Sequence, residues 1–134
     1  VSQYWIKITP VAKPRQTRSD VWKKRPAVVR YRAFADNLRA EAKRTGFEPS
    51  GDGMEMIFFL PMPKSWSESK RQKMWHKPHQ QKPDLDNLVK SVLDALCADD
   101  CFVWQLKASK RWAHEGVLNI LVSPDLTHDQ PLPE

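Results

Sequence analysis

Two cysteines in 134 residues, Cys97 and Cys101, are too few for a disulfide framework and point to free thiols in a reducing compartment. Nothing in the chain resembles a signal peptide, and no apolar run approaches the ~20 residues a membrane helix needs. The expected location is therefore the cytoplasm. Cys97-x3-Cys101 and His76-x2-His79 could formally supply four zinc ligands, but their spacing is only loosely of the zinc kind. Acidic residues are scarce in two stretches. Between 11 and 32, Asp20 stands alone against eight basic residues; between 61 and 82, Glu68 stands alone against six. The whole chain has 22 Lys and Arg against 16 Asp and Glu, so everything outside these two windows is net negative.

Segregation of this kind points to a polyanionic partner met by the basic segments. A merely solvated basic surface is the blander account. Lys13, Arg15, Arg18, Lys23 and Lys24 in the first window, with Lys64, Lys70, Arg71, Lys73 and Lys77 in the second, are the candidates for contacting a DNA backbone. Trp66 and Trp75 lie among the second set, where they either stack on bases or pin the segment to the core.

The length fits one domain, expected over 1–123, with a Pro-rich acidic tail over 124–134. Tyr4, Ile6 and Ile8 alternate with polar or exposed neighbours as in a half-buried strand ended by Pro10. Val11 to Arg25 is a basic loop without periodicity. Pro26 suits a first helical turn, and Val28, Tyr31, Phe34, Ala35, Leu38 and Ala42 follow at helical spacing to a basic last turn and Gly46. The apolar run from Met54 to Leu60 reads as a central strand, and about twenty residues without a clear period follow it. Leu85, Leu88, Val89, Val92, Leu93 and Leu96 give the clearest helix face in the chain. Phe102, Trp104, Leu106 and Ala108 alternate as a strand, His114-Glu115-Gly116 turns the chain, and Val117 to Val122 is a last buried strand. The order is β-α-β-loop-α-β-β, an α+β domain.

Five acids and two lysines crowd the stretch from Lys82 to Asp100. Like charges this close repel unless cations sit among them, so the segment is either a well-paired helix surface or a metal site. Asp86, Lys90 and Asp94 form one i, i+4 column. Asp84 stands at the extended start of the helix, where it or Asp86 can act as a cap, and where the two side chains can converge. An Asp-x-Asp pair plus one distant carboxylate is what Mg²⁺ or Mn²⁺ accepts, water and phosphate filling the other positions.

Lys82-Pro83-Asp84-Leu85-Asp86-Asn87-Leu88-x-Lys90, then Asp94-Ala95-Leu96, then Asp99-Asp100-x-x-Val103, resembles the signature of the RusA-type Holliday junction resolvases. The match is dense from Lys82 to Lys110 and looser elsewhere. The resemblance implies a mixed sheet of about four strands flanked by two main helices, in a Mg²⁺-dependent homodimer from a bacterial or phage-infected cell. Such a dimer would cut four-way junctions by paired symmetric hydrolysis. Position by position, it implies metal binding by Asp84, Asp86 and Asp100, catalysis by these with Lys90, and a DNA-contacting role near Lys110. Only Cys97 and Ala98 separate the two parts of the motif, fewer residues than in many relatives, which leaves Asp99 as an alternative to Asp100. A non-catalytic module for branched DNA remains the second reading; it accounts for the charge but not for the ordered acids.

Overall fold

The computed structural model describes residues 2–14, 25–50 and 53–122 of the chain. Arg15, Arg18, Lys23 and Lys24, and the tail expected over 124–134, lie outside them. Four strands, β1 (Ser2–Ile6), β2 (Met54–Pro61), β3 (Leu106–Ala113) and β4 (Val117–Val122), form one mixed sheet in the order β1-β4-β2-β3. β2 runs parallel to β3 and antiparallel to β4, and β1 runs antiparallel to β4. The α+β reading and its mixed four-stranded sheet are borne out.

Helix α1 (Pro26–Thr45) begins with proline in its first turn and ends on Gly46, whose φ of 75° is the left-handed geometry that a Cβ disfavours. Its buried residues are Val28, Tyr31, Phe34, Ala35, Leu38 and Ala42, the set its periodicity predicts. Helix α3 (Leu85–Leu96) buries Leu88, Val92 and Ala95. Both helices pack on the side of the sheet lined by Ile6, Met56, Phe58, Leu118 and Ile120, which join them in one core. Two polar ties lock the helices together. The Tyr31 hydroxyl donates to the Ser91 carbonyl at 3.3 Å, and Arg39 Nε donates to the Ala95 carbonyl at 3.0 Å. The last turn of α3 carries no basic residue of its own, so Arg39 supplies a donor to a carbonyl end that would otherwise lack one.

The structure differs from the sequence reading in three places, the first being that β1 closes at Ile6, before the expected Ile8 and Pro10, where its pairing with β4 ends. The aperiodic stretch after β2 contains a short helix, α2 (Glu68–Met74), with Ser67 as N-cap: its hydroxyl accepts from the Lys70 N–H at 3.2 Å. No residue of α2 is buried, so it carries no apolar period to be read. The strand expected from Phe102 begins instead at Leu106, because β2 begins at Met54 and Leu106 is its partner there. Phe102 and Trp104 precede the ladder and stay exposed.

Beyond α2, the chain returns along the outer edge of β3. His76 and His79 donate their N–H groups to Trp112 O and Lys110 O, and Trp112 donates to Lys77 O, all at 2.8–3.0 Å. The segment thereby occupies hydrogen-bonding groups that an edge strand would leave open. It delivers the chain, through Lys82 and Pro83, to the start of α3.

Candidate active site

The acidic stretch is held at both ends. At its start, the Lys110 ammonium on β3 donates to the carbonyls of Gln81 and Pro83, the latter at 2.7 Å. The Val11 to Pro14 segment reaches the same turn, Lys13 N–H donating to Asn87 O at 3.1 Å. Asp84 occupies the N-cap position in extended geometry, yet its side chain makes no capping bond. Its carboxylate takes Lys82 Nζ instead, at 2.9 and 3.1 Å.

Asp86 is exposed in the first turn of α3, and Lys90 and Asp94 follow at the predicted spacing. Asp94 is committed to cations. Its Oδ2 lies 3.2 Å from Lys13 Nζ and 3.7 Å from Lys90 Nζ. At the far end, Asp99 accepts the Cys101 N–H at 3.1 Å, and that bond holds its carboxyl below the usual aspartate range. The backbone turns once more as Val103 N–H donates to Asp100 O at 3.0 Å. Burial pushes the Cys97 thiol up, and the negative charges of Asp100 and Asp94 add to the effect.

These elements enclose an open cleft of about 600 Å³ lined by Leu85, Asp86, Val89, Lys90, Leu93, Asp100 and Ala108. Three of the four expected catalytic residues, Asp86, Lys90 and Asp100, share it. Asp84 adjoins it in sequence but faces Lys82. Among the described residues, no three His, Cys, Asp or Glu side chains gather closely enough to hold one ion. Two carboxylates on one cleft nevertheless suit the way Mg²⁺ is usually held, through one or two carboxylates with water and substrate phosphate completing the octahedron. His76 and His79 belong to ring contacts instead, His76 stacked on Trp75 at 3.7 Å and His79 tilted against Trp112 at 3.9 Å.

The expected DNA-contacting cations divide by what they touch. Lys64, Lys73 and Lys77 are exposed on or beside α2. Lys70 lies over the Trp66 ring at 4.3 Å, and Arg71 donates to Pro63 O at 2.8 Å. Lys13 is engaged by Asp94 and sits 4.4 Å over the Tyr31 ring. Lys110 and Lys82 are the residues whose roles the sequence concealed: both shape the approach to α3, and nothing in local composition signals contacts made across twenty-seven residues or by a cis Lys82–Pro83 turn.

Residues 7–123 match the family described as endodeoxyribonuclease RusA. A curated relative, the uncharacterized protein YqaN of Bacillus subtilis (strain 168), is 38% identical over 79 residues, covering 52% of this chain and 54% of that protein. The chain thus spans about half the length of that relative. With the family match extending across nearly all of the described fold and including the whole acidic cleft, the chain belongs to the endodeoxyribonuclease RusA family, a family of nucleases.

Proposed function

We propose that the protein is a divalent-metal-dependent endodeoxyribonuclease that resolves four-way DNA junctions by paired, symmetric phosphodiester hydrolysis. The observation that carries this reading is the meeting of Asp86 and Lys90 on α3 with Asp100, from beyond the helix, in one open cleft. A cleft lined by carboxylates repels a phosphodiester until a cation stands between them. Asp86 and Asp100 would hold Mg²⁺, with Mn²⁺ an alternative, and Asp84 is the third candidate ligand. The ion would supply an acidified water and charge neutralisation at the phosphate. Lys90 is exposed, and its ammonium lies beyond hydrogen-bond distance of Asp94, which leaves it able to meet phosphate oxygens as negative charge grows on them. Asp94, 3.7 Å away, is the carboxylate that ammonium pairs with.

The exposed cations around α2 would attract the DNA backbone, and those of the first basic window would add to them. A junction is nearly two-fold symmetric, so a homodimer could offer one cleft to each of two strands. The reaction belongs in the cytoplasm, where recombining DNA is found; among the described residues no helix is long and apolar enough to cross a membrane.

Cleavage of an end-labelled four-way junction, compared with duplex and single strand, in Mg²⁺ and in EDTA, tests the reading. Cutting is expected only of the junction and only with metal. Asp86→Asn and Asp100→Asn are each expected to abolish cutting while junction binding survives. Binding without cutting by the wild-type protein would leave a non-catalytic junction-binding module. Undiminished nicking by Asp86→Asn would remove the cleft from the chemistry.

A further inference from the structure

A second surface, away from the acidic cleft, is built of aromatic rings. Trp5 and Phe59 alternate with the core residues Ile6 and Phe58, so they face the side of the sheet opposite α1 and α3. They begin a chain of ring contacts: Trp5 to Phe59 at 6.1 Å, Phe59 to His76 at 5.0 Å, His76 to Trp75 at 3.7 Å. The next ring, His114, lies 6.5 Å from Trp75 at an interplanar angle of 26°. That separation is close to twice the ~3.4 Å rise of stacked nucleotides. A cavity of about 310 Å³ lies there, lined by Gln72, Trp75 and His114. Another of about 260 Å³, lined by Trp5, Phe59, Trp75 and His76 among others, adjoins it.

The patch is exposed yet rigid. Trp5 is 57% and Trp75 49% exposed, values that a tryptophan serving only the core would not show. His76 is nevertheless fixed in a left-handed conformation, φ 61°, by its N–H to Trp112 O at 2.8 Å and by Arg111 Nη1 on its own carbonyl at 2.9 Å. Cations outnumber acids around the rings, with Glu115 the acid that lines the cavity. Arg111 and His114 both act with burial to hold the His76 imidazole below its ordinary range, and Lys73 and Lys77 are exposed on either side of Trp75 in the chain. Flat aromatic faces within a cationic surround are complementary to an unstacked base and its phosphates.

We propose that the Trp75–His114 gap is a stacking site for one unpaired DNA base, with Gln72 placed to meet the base edge and Arg111, Lys73 and Lys77 drawing the adjoining phosphates. The proposal rests on the reading of the chain as a protein that acts on four-way junctions, where a base at the exchange point can unstack and unpair as the protein opens it, while bases inside continuous duplex stay stacked. Ala108 of the acidic cleft and Ala113 of the aromatic cavity are five positions apart on β3 and on opposite sheet faces, about 17 Å along the strand. The stacked base would therefore lie outside the reacting nucleotides and help select a junction, which can be opened at its exchange point, over continuous duplex.

The test is binding of the full chain in EDTA, so that it does not depend on cleavage. A short labelled DNA strand is titrated by anisotropy against wild type, Trp75→Ala, Trp75→Phe and His114→Ala. Parallel arms use the same strand with abasic sites, the same sequence as RNA, and free AMP. Trp75→Ala and His114→Ala are each expected to weaken binding about tenfold, and Trp75→Phe to restore most of it. The abasic strand should bind wild type and Trp75→Ala alike. Equal affinity of wild type for base-bearing and abasic strands overturns the proposal, as does tighter binding of RNA or of AMP alone. A Trp75→Ala change that alters only the sedimentation behaviour, leaving DNA affinity intact, would make the patch an interface between copies and likewise overturn it. If the wild-type protein never cuts junctions yet shows the expected binding differences, the stacking site stands and the nuclease reading fails.

Discussion

Replacing Lys110 by methionine separates two roles that its position allows. The residue sits on β3 opposite Phe58, on the helix-packed side of the sheet, and its ammonium bridges the carbonyls of Gln81 and Pro83. Its own carbonyl also receives the His79 N–H. Lys110 is thus the clamp between the sheet and the turn that sets down Asp84 and starts α3. A hydrogen bond to a charged group contributes ~1.5–3 kcal/mol when well shielded. Gln81 is exposed and Pro83 half-buried, so water recovers part of the loss, and about 2 kcal/mol for the pair is a fair expectation. For a chain of this size, that lowers Tm by roughly 7 °C.

Loosening the clamp should also displace the first turn of α3 relative to Asp100. A misplacement on the order of 1 Å can cost about 100-fold in rate, so single-turnover junction cleavage is expected to fall 10- to 100-fold, as an order of magnitude. Junction affinity and its salt dependence should be nearly unchanged, because the ammonium is spent on carbonyls. If Lys110 instead meets a phosphate, Lys110→Met will leave Tm in place, weaken binding, and reduce the slope of log K against log salt by about one. That pair of results would refute the clamp.

Lys90→Ala is expected to reduce single-turnover cleavage by ~100- to 1,000-fold with junction binding retained; an unchanged rate would reduce Lys90 to a partner of Asp94. Acid should destabilise the fold through His79: burial, then the charge of Lys110, hold its imidazole below the ordinary range, and its Nδ1 accepts the Gln81 N–H at 3.4 Å. The unfolded chain therefore binds the proton more readily, so this contribution is complete above about pH 6.5 and is lost as pH falls from there through the folded value. Thermal melts between pH 8 and pH 5 should show the fall, and His79→Gln should flatten it. Gly116→Ala is expected to cost about 2 kcal/mol in denaturant melts, because a Cβ there would overlap the Thr9 backbone in the segment that follows β1.

The sequence is most legible where burial has a period. All six apolar positions expected of α1 are buried, and β2 and β4 lie where continuous apolar runs place them. In α3 the apolar stripe is wider than the core needs. Leu88 and Val92 enter the core, whereas Leu85, Val89 and Leu93 stay half-exposed and become the apolar lining of the acidic cleft. Periodicity marks the stripe without showing that it serves two surfaces. The short α2 escapes because it buries nothing, and the start of β3 is misread because alternation in Phe102 and Trp104 has no paired strand beside it. Long-range partners are the least visible of all. Lys13 on Asp94 and Lys110 on Pro83 depend on the folded path of the chain, and each ties a cation expected at the DNA backbone to the acidic stretch as well.

That redistribution bears on how two adjacent acids come to differ. Asp99 and Asp100 follow α3 after the two-residue Cys97-Ala98 link, and by composition either could face Asp86. The turn distinguishes them. Cys101 N–H caps the Asp99 carboxylate, and Val103 N–H takes the Asp100 carbonyl, which closes the chain tightly enough that the short link suffices. With Asp99 spent on the turn, Asp100 is the acid left on the cleft wall beside Asp86 and Lys90. The same division operates at the other end of the helix, where Asp84 takes Lys82 and Asp94 takes Lys13 and Lys90. Five neighbouring carboxylates would repel one another if all faced the same point. Giving three of them partners of their own relieves that repulsion and leaves Asp86 and Asp100 on the cleft wall, the arrangement on which the proposed cation site rests.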